Sequence, residues 1–138
     1  MIRIANTDQE IFQCFPAMKQ LRTHLNDSTF VATIRKQQQG GYQLVFLEDD
    51  SRVVAAAGFR VLDKLDVGRS LYVDDLVTDT TQRSSGHGKR LFDWLVQRAR
   101  AENCVGMELD CGVQRFDAHR FYLTNRMFIS SHHLALKV

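Results

Sequence analysis

The run Leu76-Val77-Thr78, followed by Arg83-Ser84-Ser85-Gly86-His87-Gly88-Lys89, constrains this chain more than any other part of it. An apolar strand ends in a short polar turn carrying Arg-x-x-Gly-x-Gly. An amphipathic helix begins at once with Arg90-Leu91-Phe92-Asp93-Trp94-Leu95-Val96. The first N–H groups of a helix lack intrahelical partners, and the helix dipole adds partial positive charge there. Glycines allow a ligand to approach the backbone closely, so the segment reads as a site for a phosphate or pyrophosphate. On its own, a Gly-x-Gly after a strand is equally compatible with a plain turn.

Two common phosphate loops do not fit. A dinucleotide fingerprint needs a third glycine, where this chain has Leu91, and it usually opens the first βαβ unit near the N-terminus. A P-loop needs Gly-Lys-Ser/Thr, whereas Lys89 is followed by Arg90.

The surrounding pattern predicts an α+β chain. Ile2 to Ala5 reads as a first strand. Thr7 with Glu10 forms a capping-box pattern, followed by Ile11, Phe12, Phe15, Met18, Leu21 and Leu25 at helical spacing. Pro16 falls inside that pattern and predicts a kink or a break into two pieces. A second helix starts at Asp27 or Ser28, runs through Phe30, Val31 and Ile34, and stops at Gly40-Gly41. Three strands follow, Tyr42 to Leu47, Val53 to Leu62 and Leu71 to Thr78, with turns at Glu48–Ser51 and Asp63–Arg69. After the glycine loop come a helix to about Glu102, a strand Val105 to Cys111, a helix Arg115 to Asn125, and a closing strand Ile129 to Val138. A meander plus one strand–helix–strand crossover implies a mixed sheet.

Composition narrows the class. The 138 residues, 44% of them hydrophobic, suit a single domain over 1–138 with a real core. A net charge of +2 without a dense basic run argues against nucleic acid or a membrane surface as partner. No stretch reaches the ~18 apolar residues of a membrane span, and Met1-Ile2-Arg3-Ile4-Ala5-Asn6 lacks a signal-peptide core. Cys14, Cys104 and Cys111 are odd in number and widely spaced, as expected of reduced thiols in a cytoplasmic protein. His119 and His132-His133 lack a Cys/Asp cluster at ligand spacing, so no metal site is expected.

Between Tyr42 and Phe128 this order of elements resembles the GNAT superfamily of acyl-CoA-dependent N-acyltransferases. The resemblance rests on Arg83-Ser84-Ser85-Gly86-His87-Gly88 after the strand Leu76-Val77-Thr78, and on Ala118-His119-Arg120-Phe121-Tyr122, which is similar to the family's Ala-x-x-x-Tyr helix. It implies a central, mostly antiparallel sheet flanked by helices, and acetyl-CoA as acyl donor. The backbone of Leu76, Val77 and Thr78 would hydrogen-bond the pantetheine arm in a gap beside the strand. Backbone N–H groups of Arg83, Ser84, Ser85, Gly86, His87, Gly88 and Lys89 would hold the pyrophosphate, His87 through its backbone alone.

Acyl transfer to an amine needs a neutral nucleophile, a stabilised oxyanion and a proton for the leaving thiolate. The resemblance puts Tyr122 in the general-acid position; a phenol with a reference pKa near ~10 is protonated at neutral pH. A carboxylate base is open between Asp110, at the end of its strand, and Asp74 or Asp75, on the strand reaching the loop. Adjacent carboxylates on a strand point to opposite faces, so only one of the latter pair is expected at a given pocket. Tyr72, Asp74 and Arg115 are candidates for acceptor binding. Arg115 stands where many relatives carry Asn, and Arg126-Met127 where they carry Gly-Phe. The expected function is acetyl transfer to a primary amine of a small molecule or peptide. A non-catalytic acyl-CoA-binding module is the alternative. The resemblance leaves a homodimer through terminal strands as an open expectation.

Overall fold

The computed structural model describes residues 1–138 as two compact units, Met1–Glu108 and Leu109–Val138. The first unit holds nearly all the sheet. Its order is β1 (Ile2–Ile4), α1 (Asp8–Gln13), α2 (Phe15–Leu21), α3 (Phe30–Gln39), β2 (Gln43–Asp49), β3 (Arg52–Lys64), β4 (Gly68–Thr78), α4 (His87–Ala101) and β5 (Gly106–Leu109), with a 3₁₀ turn at Thr80–Gln82.

Local chemistry sets most of these boundaries. The Thr7 hydroxyl accepts the Glu10 N–H at 3.1 Å, and the Glu10 carboxylate accepts the Thr7 N–H at 3.0 Å, a complete capping box. Pro16 breaks the helical pattern in two: it lies in the first turn of α2, where its missing N–H is no loss. Gly40 caps α3 and Gly41 takes φ +90° to turn the chain into β2. Asp50 and Ser51 both have positive φ, the conformation of a tight two-residue hairpin turn, and join β2 to β3.

The five strands lie in sequence order, β1-β2-β3-β4-β5, with the first four antiparallel. Helix α4 carries the chain back to the start of β4, where the Val105 N–H donates to the Arg69 carbonyl at 2.8 Å. Since β4 begins at Gly68, β5 runs forward along it, the parallel member of a mixed sheet. With only four residues, β5 accompanies the first half of β4; counted along the strand, Asp74 to Thr78 extend beyond it.

Helices cover both faces. Ile11, Cys14, Ala17, Met18, Phe30 and Ile34 of the first three helices pack with Leu44, Phe46, Ala56 and Val77 in one core. On the other face α4 turns a stripe of His87, Leu91, Leu95 and Ala99 inward, and its Trp94 ring meets Phe59 edge-on at 5.9 Å. No helix is long and apolar enough to cross a membrane.

In the second unit α5 spans Phe116–Thr124. The closing strand expected over Ile129–Val138 is not formed; the segment lies outside any helix or strand, with Leu134, Leu136 and Val138 exposed. The alternation that suggested a strand is present, but a strand needs a neighbouring edge to bond, and sequence alone does not supply one.

Candidate functional site

The loop after β4 is shaped by its own backbone and pinned by long-range side chains. Ser84 (φ +69°) and Gly86 (φ +79°) both take left-handed conformations, curling the chain just before α4. The first helical bond runs from the Arg90 N–H to the Gly86 carbonyl at 3.0 Å. The N–H groups of His87, Gly88 and Lys89 therefore precede the helical ladder and are directed out of the helix end. Arg83 to Gly86 are exposed, and a Cβ added at Gly86 would meet nothing within 4 Å, so the cradle is open to a ligand. Lys89 pairs with Asp93 one turn on, so its charge is engaged along α4 and the main-chain N–H groups are the donors at the helix start.

Two features of this loop lie beyond the sequence reading. Asp79, buried at its base, accepts the Thr81 N–H and hydroxyl (both 2.9 Å) and an Arg52 guanidinium N–H (3.0 Å). These donors, the Thr81 backbone N–H foremost, hold its carboxyl below the usual carboxylate range. His87, expected to serve through its backbone alone, also sends its ring into the core-facing stripe of α4, where Nδ1 is buried without a hydrogen-bond partner.

Upstream, β4 is not regular. Gly58 of β3 pairs with Asp75, but the next residue, Phe59, pairs with Val73, so Asp74 is an extra, bulged residue. This overturns the expectation that Asp74 and Asp75 face opposite sides. Asp75 accepts the Tyr42 hydroxyl at 2.8 Å and the Arg22 Nε–H at 2.9 Å. Asp74 accepts from Arg60 Nε at 3.1 Å, and that guanidinium lies over the Tyr42 ring at 5.5 Å. Both carboxylates thus join one cluster on the face covered by α1 to α3, and Tyr72, opposite Arg60 in register, shares that face. Two carboxylates matched by two guanidiniums leave the cluster close to neutral.

Burial raises the Asp74 carboxyl, outweighing the Arg60 charge. Tyr42 is pushed well above the ordinary phenol value, first by burial and then by Asp75, so it remains a hydrogen-bond donor. The Tyr42 phenol reaches Asp75 by crossing the backbone of Gly58, a position no larger residue could occupy beside it. Sequence inspection had no means of finding Arg22, Tyr42, Arg60 or Gly58; each acts through a partner far along the chain.

The second unit carries the remaining candidates. Tyr122 lies on the buried side of α5, its ring edge-on to Phe121 at 5.4 Å. Its carbonyl accepts the Asn125 and Met127 N–H groups, both at 3.1 Å. Arg115 is the exposed N-cap of α5. Asp110 follows β5, is half exposed, and stands 3.2 Å from His133 Nδ1. His119 Nδ1 lies 2.9 Å from the Arg115 carbonyl and 3.4 Å from the Cys111 thiol.

A strand ending in a glycine-cradled helix start, on a sheet of this order, is matched by one family model, that of the acetyltransferase (GNAT) family, over residues 5–126. The chain belongs to the GNAT family. This GNAT protein is an N-acetyltransferase. It is 34% identical over 120 residues to the uncharacterised N-acetyltransferase YhdJ of Bacillus subtilis (strain 168), covering 86% of this chain and 84% of that one. Its fold is also that of a ribosomal-protein-alanine N-acetyltransferase from Brucella melitensis biovar Abortus 2308, with TM-score 0.85 and 16% identity over 100% and 99% of the two chains. A further match is the aminoglycoside N-acetyltransferase AAC(6')-Iy in complex with CoA, with TM-score 0.86 and 12% identity over 100% and 95%. At these identities the two structures speak for the fold of the GNAT chain alone.

Proposed function

We propose that this GNAT protein transfers the acetyl group of acetyl-CoA directly to a primary amine of a small molecule or peptide. The open cradle at Gly86, at the start of α4 and the end of β4, is the observation that carries the reading. Backbone N–H groups from Arg83 to Lys89 would hold the pyrophosphate. The backbone of Leu76, Val77 and Thr78, on the part of β4 that extends past β5, would take the pantetheine arm. The cofactor brings an activated thioester; the chain's own part is to hold it, orient the amine and move two protons.

The bulge at Asp74 marks the acyl-transfer end of the strand in this reading. Of the two carboxylates there, Asp74 is the better proton acceptor, because burial raises its basicity. Asp75, already accepting from Tyr42 and Arg22, is better suited to holding the pocket's shape. Asp110, outside this cluster and paired with His133, is the other candidate base. Tyr122 would protonate the departing thiolate. Tyr72, Asp74 and Arg115 remain the proposed acceptor contacts. The near-neutral cluster favours an acceptor of low charge over a polycation. Membership in an acetyltransferase family favours this catalytic reading over a non-catalytic acyl-CoA-binding module.

Calorimetry with acetyl-CoA tests the reading first; no heat of binding at millimolar cofactor would sink it. Gly86→Val should then weaken acetyl-CoA at least about tenfold. A β-branched residue at φ +79° costs roughly 1–3 kcal/mol of strain, and its methyls enter the anion cradle. The variant should stay folded, since nothing in the protein contacts the added Cβ. Unchanged affinity would show that the pyrophosphate sits elsewhere.

The three free cysteines accord with a reducing cytoplasm as the place of this reaction. A homodimer through the C-terminal segment is favoured by its exposed alternating Leu134, Leu136 and Val138, apolar side chains that a partner strand could cover if the segment paired on association. Light scattering should give twice the 15.9 kDa chain mass, reverting to one chain in a Leu134→Lys, Leu136→Lys variant. A monomeric wild type at tens of micromolar would refute the dimer.

A further inference from the structure

Helix α2 grips β4 at two points, one on either side of the segment assigned to pantetheine. At its C-terminal end, Gln20 Oε1 accepts the Thr80 N–H at 2.9 Å, and Nε2 donates to Asp79 Oδ1 at 3.5 Å. Two residues on, Arg22 donates through Nε to Asp75 Oδ1 at 2.9 Å and through Nη2 to the Asp74 carbonyl at 3.0 Å. Between these anchors, Val77 packs in the same buried core as Ala17 and Met18 of α2. Leu76 to Thr78 is thus flanked and backed by a helix of seven residues together with its C-cap, Arg22.

Such support answers a physical need. This part of β4 pairs with β3 on one edge, and in the acetyl-CoA reading its other edge takes the pantetheine arm. A strand ladder bonded along one edge leaves twist and bending soft, and a bulge adds a further point of freedom. An extended ligand that pairs with the backbone needs N–H and C=O groups held in line before it arrives. Ordinary docking of α2 would need only the apolar Ala17 and Met18. The polar reach of Gln20 and Arg22 is directed instead at the two places where β4 departs from regular strand geometry, its bulge and its exit into the loop.

We propose that Gln20 and Arg22 are positioning residues that preset the line of β4 for the cofactor, Gln20 at the phosphate end and Arg22 at the acyl end. The proposal rests on the acetyl-CoA reading for its function, though not for its structural content. The two residues have separable effects. Gln20 steadies Asp79 and Thr80, the base of the loop that every CoA species uses. Arg22 steadies the Asp74 carbonyl and Asp75, which only the acyl end of the ligand approaches.

Calorimetry with CoA and acetyl-CoA on the full chain reads this split. Gln20→Ala should weaken both ligands alike, by about three- to tenfold, the scale of one lost hydrogen-bonding group. Arg22→Ala should leave CoA within about twofold and change the ratio of acetyl-CoA to CoA affinity by about threefold or more. Arg22→Lys should recover little of that ratio, since one ammonium on a flexible stem cannot serve carboxylate and carbonyl in the same fork. Hydrogen exchange without ligand supplies the second readout. Amides of Leu76 to Thr78 should exchange faster in the Gln20→Ala, Arg22→Ala double variant, while those of β2 stay protected. Parallel loss of both affinities in each single variant, together with faster exchange throughout the sheet, would mean a merely structural role and overturn the proposal. Unchanged exchange at Leu76 to Thr78 would overturn it as well. If the wild type binds neither ligand, the acetyl-CoA reading fails, and the exchange measurement still decides whether the clamp exists.

Discussion

Replacing Tyr122 with phenylalanine should lower kcat for acetyl transfer by about 10²- to 10⁴-fold, the usual contribution of a positioned general acid. Acetyl-CoA affinity should stay within about twofold, because the substitution removes one hydroxyl and keeps the ring. The ring is the part that packs: Tyr122 is buried on α5 and meets Phe121 edge-on. Folding should therefore be little affected, which separates loss of chemistry from loss of structure. An acceptor screen reading free thiol release, over amino sugars, polyamines, amino acids and peptide N-termini, identifies the amine needed for these measurements. Turnover that survives the change across the pH range would remove Tyr122 from the mechanism.

Gly58→Ala should be the most damaging single methyl group in the protein. A Cβ at this position would fall on the Tyr42 phenol, overlapping its oxygen, Cζ and Cε2. Tyr42 is buried and bonded to Asp75 at 2.8 Å, so the ring has no free space to yield into without giving up that bond. Overpacking costs roughly 1–3 kcal/mol, and a hydrogen bond to a charged group contributes roughly 1.5–3 kcal/mol. Together they point to a loss of about 3–5 kcal/mol, a large fraction of a domain's stability, and a fall in Tm of about 10–20 °C. Thermal unfolding measures it. Because the clash is with one side chain, a Gly58→Ala, Tyr42→Ala double variant should be less unstable than the sum of the two single variants. Strict additivity would show that the Tyr42 ring is not what excludes a side chain at Gly58.

These two predictions come from different kinds of information. The role expected of Tyr122 was legible in the chain, through the resemblance of Ala118 to Tyr122 and of the glycine loop to a known family. The importance of Gly58 was not, since an isolated glycine in a β pattern says only that something approaches closely, without naming it. The same division runs through the candidate site. The expectation of an anion site at Arg83 to Lys89 came from their own order, whereas the side chains that steady the base of that loop, Gln20 and Arg52, come from α2 and β3.

By itself, the sequence determined whatever is decided within a few residues along the chain. The capping box of Thr7 and Glu10, the break at Pro16, the stop at Gly40 and Gly41, and the helix start after Gly86 are all local, because their bonds close over three or four residues. Only the tertiary structure decided what depends on register. A period of two presumes an unbroken ladder, and one extra residue at Asp74 turned two carboxylates from opposite faces to the same one. The contacts that then organise the site join Tyr42 to Asp75 across 33 positions, Arg22 to Asp75 across 53 and Gln20 to Asp79 across 59. Such pairs leave no periodic trace, because each depends on how separate elements pack rather than on the spacing within any one of them.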